Sequence, residues 1–437
     1  MDKNEIIKVL EDWNFWKKEL ETGISRDYYL RKIKKFLATD HVVVISGARR
    51  SGKSFIMRQL ARLLMEEGVA KNRLLMINFE DPRLPELKAK DLDEIFNIYL
   101  EFMEPGEKPY VFLDEIQEVS GWEKWLNSMQ ELKKAHLIVS GSNAKLLSKE
   151  LATLLTGRHL DVTVFPLSFK EYLGFNNIII KDKLDMVHQE TSIKGQLRKY
   201  LEEGSYPEVV LSGRGKEILL SYFDDIINKD LIKRYKVRKG EKLKSLAKFY
   251  LNQVASPVTY NSSAKFLGLS VDTAEKFSVY LEDAYLLFLQ KRFSFKAKEQ
   301  EKSPRKAYVI DNGLANAIGF RFSSNWGRAA ENIIFLELRR RQTENPDLEV
   351  YYWKDVHHRE VDFVIKEKLH VKQLIQVSWD TNQPRVRERE TRSLLKAMEE
   401  FNLFESLVIT EDQEFEEKAK DKRIIFIPLW KWLLKGT

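Results

Sequence analysis

Residues 42–55 read VVVISGARRSGKSF, an apolar stretch that leads into a glycine, two arginines, a second glycine, a lysine and a serine. Residues 47–54 match the pattern G-x-x-x-x-G-K-[ST], which forms a phosphate-binding turn when it joins a strand to a helix. The glycines let consecutive backbone N–H groups point at phosphate oxygens, and the following helix adds the positive end of its dipole. We therefore expect a nucleotide to bind at these positions: Gly47, Ala48, Arg49, Arg50, Ser51, Gly52, Lys53, Ser54 and Phe55.

The other half of such a site is predicted at the end of a second apolar strand, where residues 110–118 read YVFLDEIQE. In this interpretation Lys53 reaches the β- and γ-phosphates, and the hydroxyl of Ser54 binds Mg²⁺. Asp114 holds the same Mg²⁺ through water. Glu115 polarises the attacking water as a general base. The two motifs together predict Mg²⁺-assisted hydrolysis of a nucleoside triphosphate.

The order of apolar and amphipathic segments predicts an α/β fold. Segments with helical spacing separate five apolar runs, which read HVVVIS, RLLMINFE, YVFLDE, HLIVSGS and LDVTVF. Continuous apolar strands between helices indicate a parallel sheet with helices on both faces. An extra strand and helix precede YVFLDE, an order that favours P-loop NTPases of the ASCE type over kinases and small GTPases. Because no guanine-reading NKxD motif is present, we expect ATP rather than GTP.

The composition limits the class of protein further. The chain has no cysteine, which excludes disulfides, thiolate zinc sites and cysteine nucleophiles. Its 73 Lys and Arg against 66 Asp and Glu give a net charge of +7, a mild excess that permits a nucleic-acid partner without requiring one. The amino-terminal MDKNEIIKVLEDW is too polar for a signal peptide, and IIFIPLWKWLL near the end is too short to span a bilayer. We expect a cytoplasmic protein with no membrane partner.

A chain of 437 residues is too long for one ordinary core and predicts several domains. The changes of pattern indicate an N-terminal helical segment at 1–40 and a P-loop ATPase core at 41–165. A helical, lid-like segment is expected at 166–235 and a winged-helix domain at 236–320. The remaining residues, 321–437, read as a further α/β domain.

Several segments together resemble one family. They read ISGARRSGKSF, INFEDPRL, YVFLDEIQEVSGWEKWLNSM, HLIVSGSNAKLL and TGRHLDVTVFPLSFKEYL. In them the chain is similar to prokaryotic AAA-type ATPases, common in archaea, that carry a C-terminal domain of unknown function. The resemblance implies that Asn143 senses the γ-phosphate and that Arg158 is an arginine finger, in cis or in trans. A finger in trans needs a neighbouring copy, so a homo-oligomer is one possibility and a monomer the other.

A helix-turn-helix pattern followed by a basic hairpin spans residues 261–295 and predicts a winged helix. Acidic residues on its second helix would repel phosphates, so reading of the major groove is not expected there. Two basic stretches, 233–244 and 291–306, are the candidates for contact with a DNA backbone. The alternative is a winged helix that serves only as a packing module surrounded by solvated lysines.

The final segment resembles the family's C-terminal domain, which is itself similar to PD-(D/E)xK nucleases. It contains GRAAENIIFLELRRR, EVDFVI and LIQVSWD. The resemblance assigns Glu331, Asp362 and Gln376 to a degenerate nuclease site. Ser378 stands where active members have a lysine, and Lys366 and Lys372 are weak substitutes, so nuclease activity is not expected.

Three functions remain open at this point. The first is a Mg²⁺-dependent ATPase that couples hydrolysis to movement of its C-terminal half, acting on DNA. The second is a nucleotide-gated regulator that binds DNA or protein and turns over slowly. The third is a metal-dependent nuclease controlled by ATP.

Overall fold

The computed structural model describes residues 2–84, 86–142, 157–319, 325–380 and 384–435. The chain divides into two compact units, Met1–Phe165 and Pro166–Thr437. Each unit is described below by itself. No helix in the described ranges is long and apolar enough to cross a membrane.

The first unit is a parallel α/β structure. Its described strands are β1 Val42–Gly47, β2 Leu74–Asn78, β3 Tyr110–Asp114, β4 His136–Gly141 and β5 His159–Val164. Its described helices are α1 Lys3–Trp13, α2 Asp27–Leu37, α3 Lys53–Glu66, α4 Ala89–Met103 and α5 Trp122–Glu131. The strands pair in parallel in the order β2-β3-β4-β1-β5. The prediction of a parallel sheet is confirmed.

Both faces of this sheet are covered, because side chains alternate between two cores along each strand. Val42 and Val44 belong to one apolar cluster, and Val43 and Ile45 belong to the other. Helices α1, α4 and α5 supply the first cluster, and α2 and α3 supply the second. The continuous apolar runs of the sequence arise from this double burial.

The first forty residues are part of this unit and do not form a separate segment. Ile6, Val9 and Leu10 of α1 lie in the first apolar cluster with residues of β2. The buried side chain of Asn14 donates to Met76 O at 2.9 Å and accepts from Met76 N at 2.7 Å. These bonds satisfy the backbone at the sheet edge, where an exposed strand would otherwise present unpaired groups.

The second unit begins with helices. They are α6 Phe169–Phe175, α7 Lys183–His188, α8 Glu190–Glu203, α9 Pro207–Ser212 and α10 Gly215–Asp225, followed by a π-helix at Ile226–Lys233. Next come α11 Gly240–Asn252, β6 Ser256–Val258, α12 Tyr260–Leu267, α13 Val271–Asp283, β7 Leu287–Gln290, α14 Ala297–Lys302 and β8 Arg305–Val309. The three strands pair antiparallel in the order β6-β8-β7.

The rest of the second unit is a mixed sheet with helices. Its elements are α15 Asn312–Ile318, α16 Trp326–Glu344, β9 Leu348–Lys354, β10 Glu360–Glu367, β11 His370–Val377, α17 Pro384–Glu400, β12 Glu405–Thr410, β13 Phe415–Ala419, β14 Lys422–Pro428 and α18 Leu429–Leu434. The described strands pair in the order β13-β14-β12-β11-β10-β9. The hairpin β10–β11 is antiparallel, and β11 pairs in parallel with β12.

Candidate functional site

The predicted phosphate turn lies between β1 and α3, at the carboxyl edge of the parallel sheet. Gly47 has φ 148°, and a Cβ at this position would lie 2.1 Å from the carbonyl oxygen of Val164. Gly52 precedes α3 with φ 98°, in the left-handed region that favours glycine. Both glycines of the motif are therefore required by the backbone. The amides at the start of α3 have no acceptor within the helix and are available to an anion.

Lys53 is buried under this turn, with 4% of its surface exposed. Its Nζ donates to the carbonyl oxygens of Gly47 and Ala48, each at 3.2 Å. The same Nζ lies 3.7 Å from Oε1 of Glu115. The ammonium thus has two neutral acceptors and one distant carboxylate. A phosphate group would offer closer and more strongly charged acceptors, so this lysine is placed to exchange partners.

The predicted Mg²⁺ ligands are in contact with each other. Ser54 and Ser140 both donate hydrogen bonds to the carboxylate of Asp114. Burial, and then the charge of Glu115, raise the pKa of Asp114 above its ordinary value. A divalent cation would relieve this unfavourable burial of negative charge. A hydroxyl and a carboxylate side by side are also the oxygen ligands that Mg²⁺ prefers, so the residues present fit the ion.

Glu115 follows directly and is nearly buried, with 8% of its surface exposed. Its backbone has φ 54° and ψ 46°, a left-handed conformation that is strained for a residue with a side chain. Its N–H donates to Oγ of Ser140 at 3.1 Å. The side-chain amide of Gln117 donates to its Oε2. The structure therefore brings Lys53, Ser54, Asp114 and Glu115 together, as the motifs predict.

The contacts of two arginines around this site were not predicted. Arg26 is 3% exposed and donates to Ser51 O of the phosphate turn at 2.7 Å and to Phe165 O at 3.1 Å. Arg49 pairs with Glu80 at 2.7 Å. Glu80 belongs to the segment FEDPRL, to which the family resemblance assigns no chemical role. Arg26 lies in no recognisable motif, and only its contacts identify it.

Arg158 is not brought to the phosphate turn of its own chain. It precedes β5, and its carbonyl accepts from the N–H of Val42 at the start of β1. The phosphate turn follows the other end of β1, at Gly47, which is about 16 Å from Val42 at the rise per residue of a strand. The Arg158 side chain is half exposed and lies 3.4 Å from Glu131. Within one chain the structure therefore does not bring Arg158 to the phosphate turn, and its role as an arginine finger stays a prediction. Asn143 lies outside the described residues.

The predicted C-terminal residues do meet. Asp362 on β10 donates its N–H to Oε1 of Gln376 on β11 at 3.2 Å. Asp362 also contacts Lys306, and so does Glu331 of α16. The Nζ of Lys306 is 2.9 Å from Glu331 and 2.7 Å from Asp362. A third carboxylate, Glu360, is 2.8 Å from this Nζ. We call Lys306 and these three carboxylates the Lys306 cluster.

The burial of Lys306 contradicts part of the prediction that the basic stretch 291–306 contacts a DNA backbone. This lysine was grouped with residues that could contact DNA, but only 2% of its surface is exposed. Burial lowers the pKa of Lys306, and the carboxylates outweigh that effect and raise it well above its ordinary value. Burial, reinforced by Asp362, raises the pKa of Glu331 to about 7. No group of three metal-ligating side chains able to hold an ion occurs in the described ranges.

The other charges of 291–306 are mostly satisfied within the protein. Lys291 and Arg305 both pair with Glu301, and Lys296 pairs with Glu299. The stretch 233–244 differs. Four of its side chains are exposed and have no ion-pair partner among the described residues: Lys233, Lys236, Arg238 and Lys239.

Three family models match consecutive parts of the chain. Residues 39–173 match the model described as an AAA domain (AAA_14). Residues 194–325 match a domain of unknown function (DUF8612), and residues 326–432 match another domain of unknown function (DUF4143). The predicted AAA-type domain is confirmed for residues 39–173, and two domains of unknown function follow it.

Similar proteins occur in an archaeon and a bacterium. The uncharacterized protein MJ1544 of Methanocaldococcus jannaschii is 34% identical over 430 residues, which cover 94% of this chain and 91% of that protein. An uncharacterized protein of Haemophilus influenzae is 35% identical over 328 residues, covering 73% of this chain and 79% of its own.

Two solved structures match this chain at low sequence identity. AMPPCP-bound DnaA from Aquifex aeolicus has a TM-score of 0.23 at 13% identity and covers 63% of this chain and 92% of its own. A DNA polymerase III gamma subunit-related protein from Thermotoga maritima has a TM-score of 0.28 at 14% identity, covering 58% and 99%. TM-scores this low carry no argument about function.

Proposed function

The chain belongs to the same family as MJ1544, and from the geometry of its site we propose that it is a Mg²⁺-dependent ATPase. One observation carries the proposal. Lys53, Ser54, Asp114 and Glu115 lie together at the carboxyl edge of one parallel sheet, under a turn whose two glycines the backbone requires. Ligands of open parallel sheets bind at this edge.

Each residue then has a distinct task. The amides of the turn and the start of α3 bind the phosphates of ATP, and Lys53 exchanges its carbonyl partners for phosphate oxygens. Ser54 and Asp114 would hold Mg²⁺, which would neutralise charge on the phosphates. Glu115 accepts the proton of the attacking water. Asn143, which lies outside the described residues, would sense the γ-phosphate.

Replacement of the general base tests this assignment. Glu115→Gln keeps the size and polarity of the side chain but accepts no proton. We expect ATP binding to persist and turnover to fall by roughly 100-fold or more. Glu118→Gln, an exposed carboxylate three residues away, serves as the control and should keep parental turnover. Equal turnover by Glu115→Gln and the parent would rule out Glu115 as the base.

Arg158 would act only on a nucleotide bound by a neighbouring copy. Its exposed side chain, far from the turn of its own chain, supports an action in trans. This part of the proposal requires a homo-oligomer. Light scattering with ATP and Mg²⁺ should then show a mass above that of one chain, and Arg158→Ala should lose turnover without losing ATP binding.

The second unit provides a surface for a nucleic-acid backbone at 233–244. The four exposed cations without an ion-pair partner within the described ranges support the proposal. The order helix–strand–helix–helix–strand–helix–strand from α11 to β8 resembles that of a winged helix with the short helix α14 inserted between the two strands of its hairpin. If four phosphates are contacted, changing these four cations to glutamine should reduce the slope of log K against log salt by up to about 4 on double-stranded DNA. Lys291→Gln with Lys296→Gln, whose charges are already paired, is the matched control. An unchanged slope in the four-residue variant would remove this surface from the proposal.

Nuclease activity is not part of the proposal. The gathering of Glu331, Asp362 and Gln376 supports a fold related to PD-(D/E)xK nucleases. The buried Lys306, however, takes up the negative charge that would hold a catalytic metal. The C-terminal half is therefore proposed as a structural or binding module that nucleotide turnover acts upon.

A further inference from the structure

Arg49 of the phosphate turn and Glu80 of the segment FEDPRL form an ion pair that crosses the carboxyl edge of the parallel sheet. Arg49 follows the end of β1 by two residues, and Glu80 follows the end of β2 by two residues. The strand order β2-β3-β4-β1 places β3 and β4 between them. At the spacing of neighbouring strands, the ends of β1 and β2 are about 14 Å apart. Because Nη2 of Arg49 nevertheless lies 2.7 Å from Oε1 of Glu80, the two side chains meet over the ends of β3 and β4.

The ends of these two strands carry residues of the proposed ATPase site. Strand β3 ends at Asp114 and is followed by Glu115, and Ser140 of β4 donates a hydrogen bond to Asp114. The γ-phosphoryl group of an ATP bound at the turn would lie between Lys53 and the water that Glu115 activates, over the same strand ends. The side chain of Arg49 extends across this place, and only 11% of it is exposed.

The segment FEDPRL holds the backbone of Glu80 in place on both sides. The N–H of Phe79 donates to the carbonyl oxygen of Asp114 at 3.1 Å, which continues the pairing of β2 with β3 by one residue. On the other side, Asp81 is 6% exposed, and its carboxylate accepts from Nε1 of Trp13 at 2.7 Å. The carboxylate of Glu80 is therefore presented to the phosphate turn from a fixed position.

A bound triphosphate is a stronger partner for Arg49 than Glu80 is. The side chain of Glu80 is 41% exposed, and ion pairs that are open to solvent are weak. A γ-phosphate offers several anionic oxygens, which a guanidinium binds through two parallel N–H···O bonds. During hydrolysis the negative charge spreads over the three equatorial oxygens of the transferring group, so a guanidinium already in place stabilises the transition state.

We propose that Arg49 is a catalytic residue that leaves Glu80 for the γ-phosphoryl group of the ATP bound by its own chain. The inference rests on the proposed function. In that reaction the oxygen of water forms a bond to the γ-phosphorus, the bond to the bridging oxygen of ADP breaks, and the proton of the water passes to Glu115. Arg49 neutralises charge on the transferring group, a task for which Arg158 of the same chain is too far away. The segment FEDPRL then has the role of holding this arginine before the nucleotide binds.

Arg49→Gln removes the guanidinium and should affect ATP but not ADP. Turnover should fall by about 1,000-fold, the lower end of what an arginine at the γ-phosphoryl group contributes. ADP affinity, measured by calorimetry, should stay within about twofold because ADP has no γ-phosphate. ATP affinity, measured in the Glu115→Gln background so that ATP persists, should fall. A merely structural role in the turn would instead weaken ATP and ADP alike. Arg73→Gln opens a pair with Glu107 at the opposite edge of the sheet and is the matched control, which should keep parental turnover.

Glu80→Gln tests the exchange of partners. The amide keeps the size of the side chain but no longer competes with phosphate for the guanidinium. ATP affinity should rise by about two- to fivefold, the effect of an ion pair open to solvent, and ADP affinity should not change. In the Arg49→Gln background, Glu80→Gln should alter neither affinity, because Glu80 acts through Arg49. An ATP affinity that Glu80→Gln leaves unchanged or lowers in the chain that retains Arg49 would contradict the exchange.

Arg49→Lys keeps the charge without the paired donors, and it should lose turnover at least tenfold even if Arg49→Gln folds poorly. Parental turnover by Arg49→Lys and Arg49→Gln, or an equal loss of ATP and ADP affinity, would overturn the inference. If the parent itself hydrolyses no ATP, the proposed function fails. If Glu115→Gln is inactive while Arg49→Gln matches the parent, this inference alone fails.

Discussion

The Lys306 cluster allows a sharp prediction about stability. Lys306→Met removes the only cation that contacts three buried or half-buried carboxylates within the described ranges, at 2.7 to 2.9 Å. Methionine fills a similar volume, so packing changes little. Breaking a buried ion pair by removing one partner costs about 3–5 kcal/mol, because the remaining charge has no compensation. We expect the free energy of unfolding of the second unit to fall by about that amount at pH 8.

The pH dependence follows from the carboxylates that remain. The pKa of Lys306 is raised above its ordinary value. The stability that its charge contributes is therefore fully present below the ordinary pKa of a lysine and is lost only in strong alkali. Between pH 5 and 8 the lysine is therefore charged in folded and unfolded chains alike. In the variant, the buried Glu331, whose pKa is already raised, lies beside two other carboxylates without the cation and is relieved by taking up a proton. The destabilisation should consequently be smaller at pH 5 than at pH 8.

Hydrogen exchange with mass spectrometry in a urea series measures this effect where it arises. Peptides from β8, β10 and α16 report the unfolding of the cluster itself. Lys298→Met, an exposed lysine on α14, is the control and should change stability by less than about 0.5 kcal/mol. A loss below about 1 kcal/mol in Lys306→Met at pH 8, or a larger loss at pH 5 than at pH 8, would refute the reasoning.

Two further predictions concern single side chains. Burial raises the pKa of Glu331 from 4.5 to about 7, so the folded state loses stability as pH rises through that interval; Glu331→Gln removes this pH dependence, and its stability relative to the parent should rise by up to about 3 kcal/mol between pH 5 and pH 8, as measured from urea midpoints. Gly47→Ala should weaken ATP binding more than tenfold, because its Cβ would meet the carbonyl oxygen of Val164 at 2.1 Å, whereas Gly195→Ala, with open space around it, should leave binding unchanged in the same titration.

The sequence was sufficient to predict which side chains lie together where they belong to short motifs along the chain. The phosphate turn needs a strand, two glycines, a lysine and a helix in fixed order, and all of these lie within residues 42–66. Asp114 and Glu115 were found in the same way, because the carboxyl ends of parallel strands meet at one edge of a sheet. Tertiary structure adds distances here but does not change the assignment.

Sequence reasoning failed where residues meet across long separations. Lys306 and Asp362 are 56 positions apart, and a buried lysine within a basic run looks the same as a solvated one. Arg26 contacts Ser51 across 25 positions and belongs to no pattern. Arg158 was assigned by resemblance, and the register of β5 on β1 places it at the opposite edge of the sheet. Contacts of this kind depend on topology that composition and periodicity do not contain.

Two buried lysines of this chain show how a ligand site differs from a structural one. Lys306 has three carboxylates at 2.7 to 2.9 Å, so its charge is already compensated and a phosphate could replace them only at a large desolvation cost. Lys53 has two carbonyls at 3.2 Å and one carboxylate at 3.7 Å, so its charge is only partly compensated. A phosphate anion improves the surroundings of Lys53 and worsens those of Lys306. The degree to which a buried cation is satisfied, rather than its burial, therefore supports the proposed nucleotide site at Lys53 and a structural role for the Lys306 cluster.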